Sequence, residues 1–192
     1  MTWSKILLFF CTLTLSACGV SMKEEDFRAT QPILVLEEYF KGETTAYGFF
    51  EDRFGNIRNQ FKVDITGTWD GTTLILDENF IYNDGSTEFR RWDITKTGEN
   101  TYTGTTENAI GEASGRTSGN SFHWKYKFNL NVGDSIWKVK FDDWMFLQGQ
   151  ENLLNKATVY RWGLKIGTVF IAFNKTEEDF VPQPHETASP QN

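Results

Sequence analysis

The chain has 192 residues, 16% of them aromatic, and a formal net charge of −7. This length suits one domain, and the acidic balance argues against a nucleic-acid partner, because affinity for nucleic acids comes largely from Lys and Arg against phosphates. The aromatic content indicates either a substantial core or a lined cavity.

The first residues have the order of a secretory signal, with Lys5 ahead of an apolar run from Ile6 to Leu15. That run is too short for a membrane-spanning helix, which needs roughly 20 apolar residues. Leu15-Ser16-Ala17-Cys18 resembles the bacterial lipobox. The resemblance implies cleavage after residues 1–17 and acylation of Cys18, whereas the alternative is an ordinary signal peptide in which that cysteine occurs by chance.

The residue after Cys18 is Gly19 rather than aspartate, which resembles lipoproteins exported to the outer membrane. Two or three acyl chains give stable anchoring to a bilayer. We therefore expect a periplasm-facing lipoprotein of the outer membrane, whose partner is the bilayer itself. Because Cys11 leaves with the signal, no disulfide is expected in the domain.

Four segments follow from these features. We predict a signal peptide at 1–17, a polar lipid-anchored tether at 18–31, a β-barrel domain at 32–174 and a disordered tail at 175–192. The barrel segment opens with PILVLEEYF, which predicts a short N-terminal helix or plug, since proline suits a first helical position.

About ten strands alternate with turns over the rest of the domain, and no long helix interrupts them. SFHWKYKFNL is the clearest strand, because Phe122, Trp124 and Tyr126 alternate with polar residues and so fix which face is buried. Closure removes the edges of a sheet with this many strands. We predict an all-β fold, an antiparallel up-and-down β-barrel.

Charged residues interrupt the inward rows of the predicted strands. A two-residue turn at Asp70-Gly71 would pair Val63 with Glu78. A three-residue loop at 83–85 would place Glu78 opposite Arg90, and a loop of two or four residues would place it opposite Arg91. An inward glutamate therefore meets an arginine in each case, as a buried charge requires.

The stretch VKFDDWMF, residues 139–146, has two carboxylates in an otherwise apolar strand. A four-residue loop at 131–134 would point Asp142 outward beside His123, and Asp143 inward opposite Phe122. Asp142 can then accept a hydrogen bond from His123. Asp143 needs a donor inside the barrel, and the candidates are Arg90, Arg91, Arg161, an aromatic hydroxyl or an indole.

The same register predicts a lysine patch on the outer wall, with Lys125 opposite Lys140 and Lys127 opposite Lys138. Like charges that face each other across strands are destabilising. An anionic cover, such as lipid head groups or a protein, would relieve the repulsion. The alternative is a counter-charge from a neighbouring strand, for instance Glu112.

Four blocks carry a family resemblance: GTWDGTTLILDENFIYNDG, FRRWDI, KFDDWMFL and RWGLKIGTVFIAF. From about Leu36 to Phe173 they resemble a family of uncharacterised bacterial lipoproteins, domain of unknown function 3833, which has no established activity. Gly67-Thr68-Trp69 is similar to the Gly-x-Trp signature of lipocalins, although here it ends the second predicted strand rather than beginning the first. The resemblance implies a lipocalin-like or calycin-type barrel.

Catalytic and metal sites find no support in the sequence. His123 is the sole histidine of the predicted domain, and neither a Gly-x-Ser-x-Gly motif nor a phosphate loop occurs. We expect no enzyme activity, no cofactor and no metal.

We expect a lipophilic or amphipathic small molecule to bind in an aromatic lumen with a few polar anchors. The alternative is a structural or interaction protein of the cell envelope, with a solid barrel and an unknown protein partner. The predicted ligand-binding residues are Trp69, Glu78, Arg90, Trp92, Trp124, Tyr126 and Asp143.

Overall fold

A computed structural model describes residues 21–175 and shows a closed barrel of ten antiparallel strands. Each strand pairs with its neighbours in sequence, and the first strand pairs with the last. The strands are β1 (Gly42–Asp52), β2 (Ile57–Trp69), β3 (Thr73–Tyr82), β4 (Thr87–Gly98), β5 (Thr101–Thr105), β6 (Ala113–Ser118), β7 (Ser121–Val132), β8 (Ser135–Gln148), β9 (Asn152–Arg161) and β10 (Leu164–Asn174). The predicted up-and-down β-barrel is confirmed.

A short helix, α1 (Leu36–Phe40), closes one end of the barrel, as PILVLEEYF predicts. Its buried Glu37 contacts Nζ of Lys96 at 2.5 Å and accepts a hydrogen bond from the Tyr102 hydroxyl at 2.8 Å. Burial acts to raise the pKa of Glu37, but these two partners hold it below the usual value. The Tyr39 hydroxyl donates to the carbonyl oxygen of Glu151 at 2.8 Å. The helix is therefore fixed to the barrel by polar contacts as well as by packing.

The segment before α1 packs on the outer wall through a single 3₁₀ turn, Glu24–Phe27. The Phe27 ring lies 5.5 Å from Trp144. Nδ1 of His123 contacts Glu24 at 2.6 Å, and Nε2 of the same ring contacts Asp142 at 2.6 Å. The predicted contact between Asp142 and His123 is confirmed, and part of the predicted tether rests on the barrel.

The proposed signal peptide and Cys18, and the tail beyond residue 175, lie outside the described residues. Within residues 21–175, no helix has both the length and the apolar character that a membrane crossing requires.

Two hairpins are shifted by two residues from the predicted registers. The β2–β3 turn includes Thr72, because Oδ1 of Asp70 accepts hydrogen bonds from the backbone nitrogens of Thr72 and Thr73 at 2.8 and 2.7 Å. Glu78 therefore lies opposite Ile65 rather than Val63. The predicted two-residue turn is wrong, but a shift of two keeps every side chain on its predicted face, since the side-chain period of a strand is two.

The β7–β8 turn contains only Gly133 and Asp134, and Gly133 has the positive φ of 55° that suits a tight hairpin. Asp143 consequently lies opposite Trp124, and the predicted pairing with Phe122 is wrong. The inward position of Asp143 is unaffected.

The shift also rearranges the predicted lysine pairs on the outer wall. Lys127 faces Lys140, Lys125 faces Asp142, and Lys138 faces Asn129. All four lysines are exposed. The pairings of Lys125 with Lys140 and of Lys127 with Lys138 are wrong, and one cross-strand lysine pair is present instead of two.

Candidate functional site: the barrel lumen

The barrel encloses a cavity of about 910 Å³. Its walls come from the inward rows of the strands, and α1 contributes Leu36 and Phe40 at the closed end. At the opposite end it reaches the β1–β2, β7–β8 and β9–β10 turns, through Phe54, Gly133 and Trp162. This end is the entrance. The cavity argues against a solid barrel.

Six of the seven predicted ligand-binding residues line this cavity: Glu78, Arg90, Trp92, Trp124, Tyr126 and Asp143. The remaining residue, Trp69, packs against the core at the last position of β2 and is not among the cavity-lining residues. The sequence places Trp69 on the correct face of β2, but along the strand this residue lies beyond the end of the cavity.

Asp143 is buried and receives a short hydrogen bond from Nδ2 of Asn155, which also donates to the carbonyl oxygen of Trp144 at 3.3 Å. The donor is an amide on β9, and none of the candidates named from the sequence fills this role. Met145 and Asn155 are cross-strand partners two pairs beyond Asp143 and Ala157, and so lie on the same inward face. An isolated asparagine in NLLNKATVYR gives no sequence signal for such a role.

Glu78 lies directly opposite Arg90, as the loop at 83–85 predicts. Nη2 of Arg90 donates to Glu88 at 2.7 Å, and the guanidinium carbon lies 4.6 Å from the Phe80 ring centroid and 5.1 Å from that of Phe128. The arginine is therefore engaged by a carboxylate nearer the entrance and by two aromatic faces, and it acts on Glu78 through its charge.

Burial raises the pKa of Glu78 to about 7, against the lowering effect of Arg90. Burial likewise raises the pKa of Asp143 to about 7, although the hydrogen bond from Asn155 acts in the opposite direction. Both acids lie in a mostly apolar lumen, where the charged form is poorly solvated. The pKa values of both carboxyl groups therefore lie well above those of exposed acids.

We expect Asp143→Asn to raise the free energy of unfolding at pH 8 and to change it little at pH 4. The pKa of Asp143 is about 7 in the folded protein and its ordinary value is 3.8, so the folded state binds more protons and loses stability as pH rises between these values. Urea unfolding at both pH values measures the difference. An equal increase in the free energy of unfolding at both pH values, or a decrease at pH 8, would contradict the raised pKa of Asp143.

The entrance has an apolar rim. Ten large hydrophobic side chains are exposed among residues 21–175, and seven of them lie at or near the turns of the open end: Phe54, Ile57, Phe89, Val132, Ile136, Trp162 and Leu164. Trp162 is 84% exposed and Phe54 is 74% exposed. Arg161 lies 4.1 Å from the Trp162 ring and Arg53 lies 4.7 Å from the Phe54 ring. The rim therefore combines apolar tips with cations.

The described residues contain no group of three His, Cys, Asp or Glu side chains that could hold a metal ion. The lumen offers carboxyl, amide, guanidinium and phenol groups on an aromatic wall. Such an arrangement can bind and orient a molecule that has an apolar body and a polar end.

The barrel resembles solved structures at low sequence identity. An S-type phycobiliprotein lyase, CPES, from Guillardia theta has a TM-score of 0.57 and 8% identity, covering 83% of this chain and 100% of that one. A protein of unknown function from the DUF3598 family of Nostoc punctiforme has a TM-score of 0.54 and 12% identity. It is covered over 51% of its length, against 76% of this chain. These likenesses show a shared lipocalin-like fold alone.

No curated protein matches the chain. A family model, described as a protein of unknown function (DUF3833), matches residues 12–175. This match covers most of the chain and includes all ten strands. The chain therefore belongs to the DUF3833 family.

Proposed function

We propose that this protein binds a lipophilic or amphipathic small molecule inside its barrel and does not act as an enzyme. The observation that carries the proposal is the cavity of about 910 Å³, which is within the size range of small-molecule sites and is lined mainly by apolar and aromatic side chains. A few polar groups converge in it, as in binding sites that orient a ligand. The likeness to a phycobiliprotein lyase supports the fold and does not define the ligand.

The proposal includes an acyl anchor on Cys18 and a position on the periplasmic side of the outer membrane. Its support is the Leu15-Ser16-Ala17-Cys18 sequence. The rim adds a separate argument, because exposed apolar tips next to cations are suited to the boundary of a lipid layer. A ligand could then pass between the bilayer and the lumen without crossing water.

Binding is tested by titrating the Cys18→Ser protein with N-phenyl-1-naphthylamine, a dye that fluoresces in apolar surroundings. Saturable uptake at one dye per chain, with a change in tryptophan fluorescence, is the expected result, since Trp92 and Trp124 line the cavity. An absence of uptake by folded protein would contradict the proposed function.

We expect Trp162→Ala to weaken flotation of the Cys18→Ser protein with anionic lipid vesicles several-fold, because each buried large side chain contributes roughly 1.5–3 kcal/mol. Leu154→Ala is the matched control, since Leu154 is also exposed but lies on the outer wall within β9. Equal flotation of both variants and the Cys18→Ser parent would show that the rim does not contribute to binding of the vesicles.

A further inference from the structure

Three polar groups of the lumen are hydrogen-bond acceptors. Asp143 and Glu78 each bring a carboxyl group, and Asn155 brings an amide oxygen. These three residues come from β8, β3 and β9, and all line the same cavity. We infer that the natural ligand is an amphiphile whose inner end carries a protonated amine, held by Asp143, Asn155 and Glu78. This inference rests on the proposed function and defines the chemistry of its ligand.

Asn155 gives the most direct indication. The residue is 5% exposed and lines the cavity, and its Nδ2 is occupied by Asp143 and by the carbonyl oxygen of Trp144. Its Oδ1 is buried and has no hydrogen-bond partner among residues 21–175. Leaving a buried acceptor unsatisfied is destabilising, because its hydrogen bonds to water are lost and not replaced. A donor on the ligand would satisfy it.

The charges around Asp143 favour the same type of ligand. Asp142 and Glu78 act on Asp143 as like charges, and the amide of Asn155 is its hydrogen-bond donor. The nearest buried cation, Arg90, already contacts Glu88 on a neighbouring position of β4. The other arginines of the cavity, Arg53, Arg58 and Arg161, lie at or beside the turns of the entrance. Away from the entrance, Glu78 and Asp143 therefore share one cation, and a buried charge needs an opposite partner.

A carboxylate end would be poorly accommodated in the same place. It would meet the carboxyl groups of Glu78 and Asp143, and like charges at short range disfavour each other. Nε of Arg90 is a buried donor that has no partner within the described part of the chain, and it can donate to a neutral oxygen of the ligand beside the ammonium. An ammonium with an adjacent hydroxyl or ester oxygen fits this set of groups.

The test compares three amphiphiles with the same alkyl chain: dodecylammonium, dodecanol and dodecanoate. Each displaces N-phenyl-1-naphthylamine from the Cys18→Ser protein at pH 7.5, below the critical micelle concentration. We expect dodecylammonium to bind at least about tenfold more tightly than dodecanoate, a ratio that corresponds to one good charge contact. Dodecanol should fall between them.

Two variants with matched controls locate the effect. Asp143→Asn and Glu78→Gln should each reduce the affinity for dodecylammonium and leave the affinity for dodecanol unchanged. Asp64→Asn and Asp77→Asn are the controls, because both acids lie on the outer wall, where each contacts a cation. Loss of dodecylammonium affinity in the controls alone would overturn the inference.

Proton coupling gives an independent readout. Glu78 and Asp143 have pKa values near 7, so their ionised fraction increases between pH 6 and pH 8. Arg90 and Tyr126 also face this cluster, but burial keeps the pKa of the Tyr126 phenol well above its usual value, so it stays neutral. The affinity for dodecylammonium should rise across this pH range, and a fall would contradict the inference.

Failure of the inference and failure of the proposed function are distinguishable. If dodecanoate binds as tightly as dodecylammonium, or more tightly, the inference is wrong and the lumen still binds amphiphiles. If none of the three displaces the dye and the dye itself does not bind, the proposed function is wrong.

Discussion

Replacing Gly67 with alanine is expected to lower the free energy of unfolding by about 2–3 kcal/mol, the upper range for overpacking of a well-packed core. A Cβ atom at Gly67 would lie 1.8 Å from the carbonyl oxygen of Phe40 and 2.7 Å from its carbonyl carbon. Both contacts are with backbone at the end of α1, so no flexible side chain can move aside. The helix would have to leave its position at the closed end of the barrel.

Urea unfolding of the Gly67→Ala variant measures this effect. Thr68→Ala is the matched control, since Thr68 is the next residue on β2 and is exposed. The control should change the free energy of unfolding by only a few tenths of a kcal/mol, as is usual for surface positions. Equal stability of both variants would contradict the seating of α1 on Gly67.

Replacing Ile171 with tryptophan is expected to abolish uptake of an apolar dye while the barrel remains folded. Ile171 lines the cavity and lies opposite Asn155 across the β9–β10 pair. An indole at this position would extend over the polar groups that we assign to the ligand. Because the cavity has room for it, the loss of stability should stay small compared with that expected for Gly67→Ala.

The control is Ala172→Trp, at the next position of β10, where the side chain is exposed on the outer wall. It adds the same indole and should leave dye affinity unchanged. Dye titration with circular dichroism separates loss of binding from loss of fold. Unchanged uptake by folded Ile171→Trp protein would show that the dye binds elsewhere.

The buried acids of the lumen relate the stability of the barrel to its proposed binding function. Ionisation of Asp143 at neutral pH costs stability, because its partner is a neutral amide. Departures from the rules of stable packing are expected at functional sites. A site that loses stability in order to hold acceptors ready for a ligand is consistent with the proposed binding of an amine.

Alternation of apolar and polar residues was sufficient to predict the strands and their inward faces. The row from Phe122 to Leu130 and the inward position of Asp143 are both correct, since a side chain changes face only when the register shifts by an odd number. The position of Glu78 opposite Arg90 was also predictable, because Asn83-Asp84-Gly85 is a strong signal for a turn.

Turn length was the weakest part of the prediction. Asp70 and Gly133 each occur in sequences compatible with more than one loop length. Hydrogen bonds from the backbone to Asp70 accompany the observed length of the first turn, and the positive φ of Gly133 that of the second. The two-residue shift has its largest effect on the outer wall, where the cross-strand partner of Lys125 is Asp142 instead of the predicted Lys140.

The cavity itself was not predictable from the sequence. Its volume depends on how the side chains of many strands pack together, and the sequence of a single strand does not determine that packing. Asn155 was missed for a related reason, since its importance comes from its hydrogen bond to Asp143 on the neighbouring strand and from an unsatisfied oxygen. Trp69 was among the predicted ligand-binding residues because it belongs to the inward face of β2, but it lies beyond the cavity.

Native mass spectrometry of the Cys18→Ser protein from a periplasmic preparation, followed by organic extraction, tests the central claim most directly. A reproducible small molecule that leaves on denaturation, and that is displaced by dodecylammonium, is the predicted result. Loss of that molecule in the Ile171→Trp variant but not in Ala172→Trp would place it in the lumen. A mass equal to that of the bare chain, with no uptake of any added amphiphile, would contradict the account.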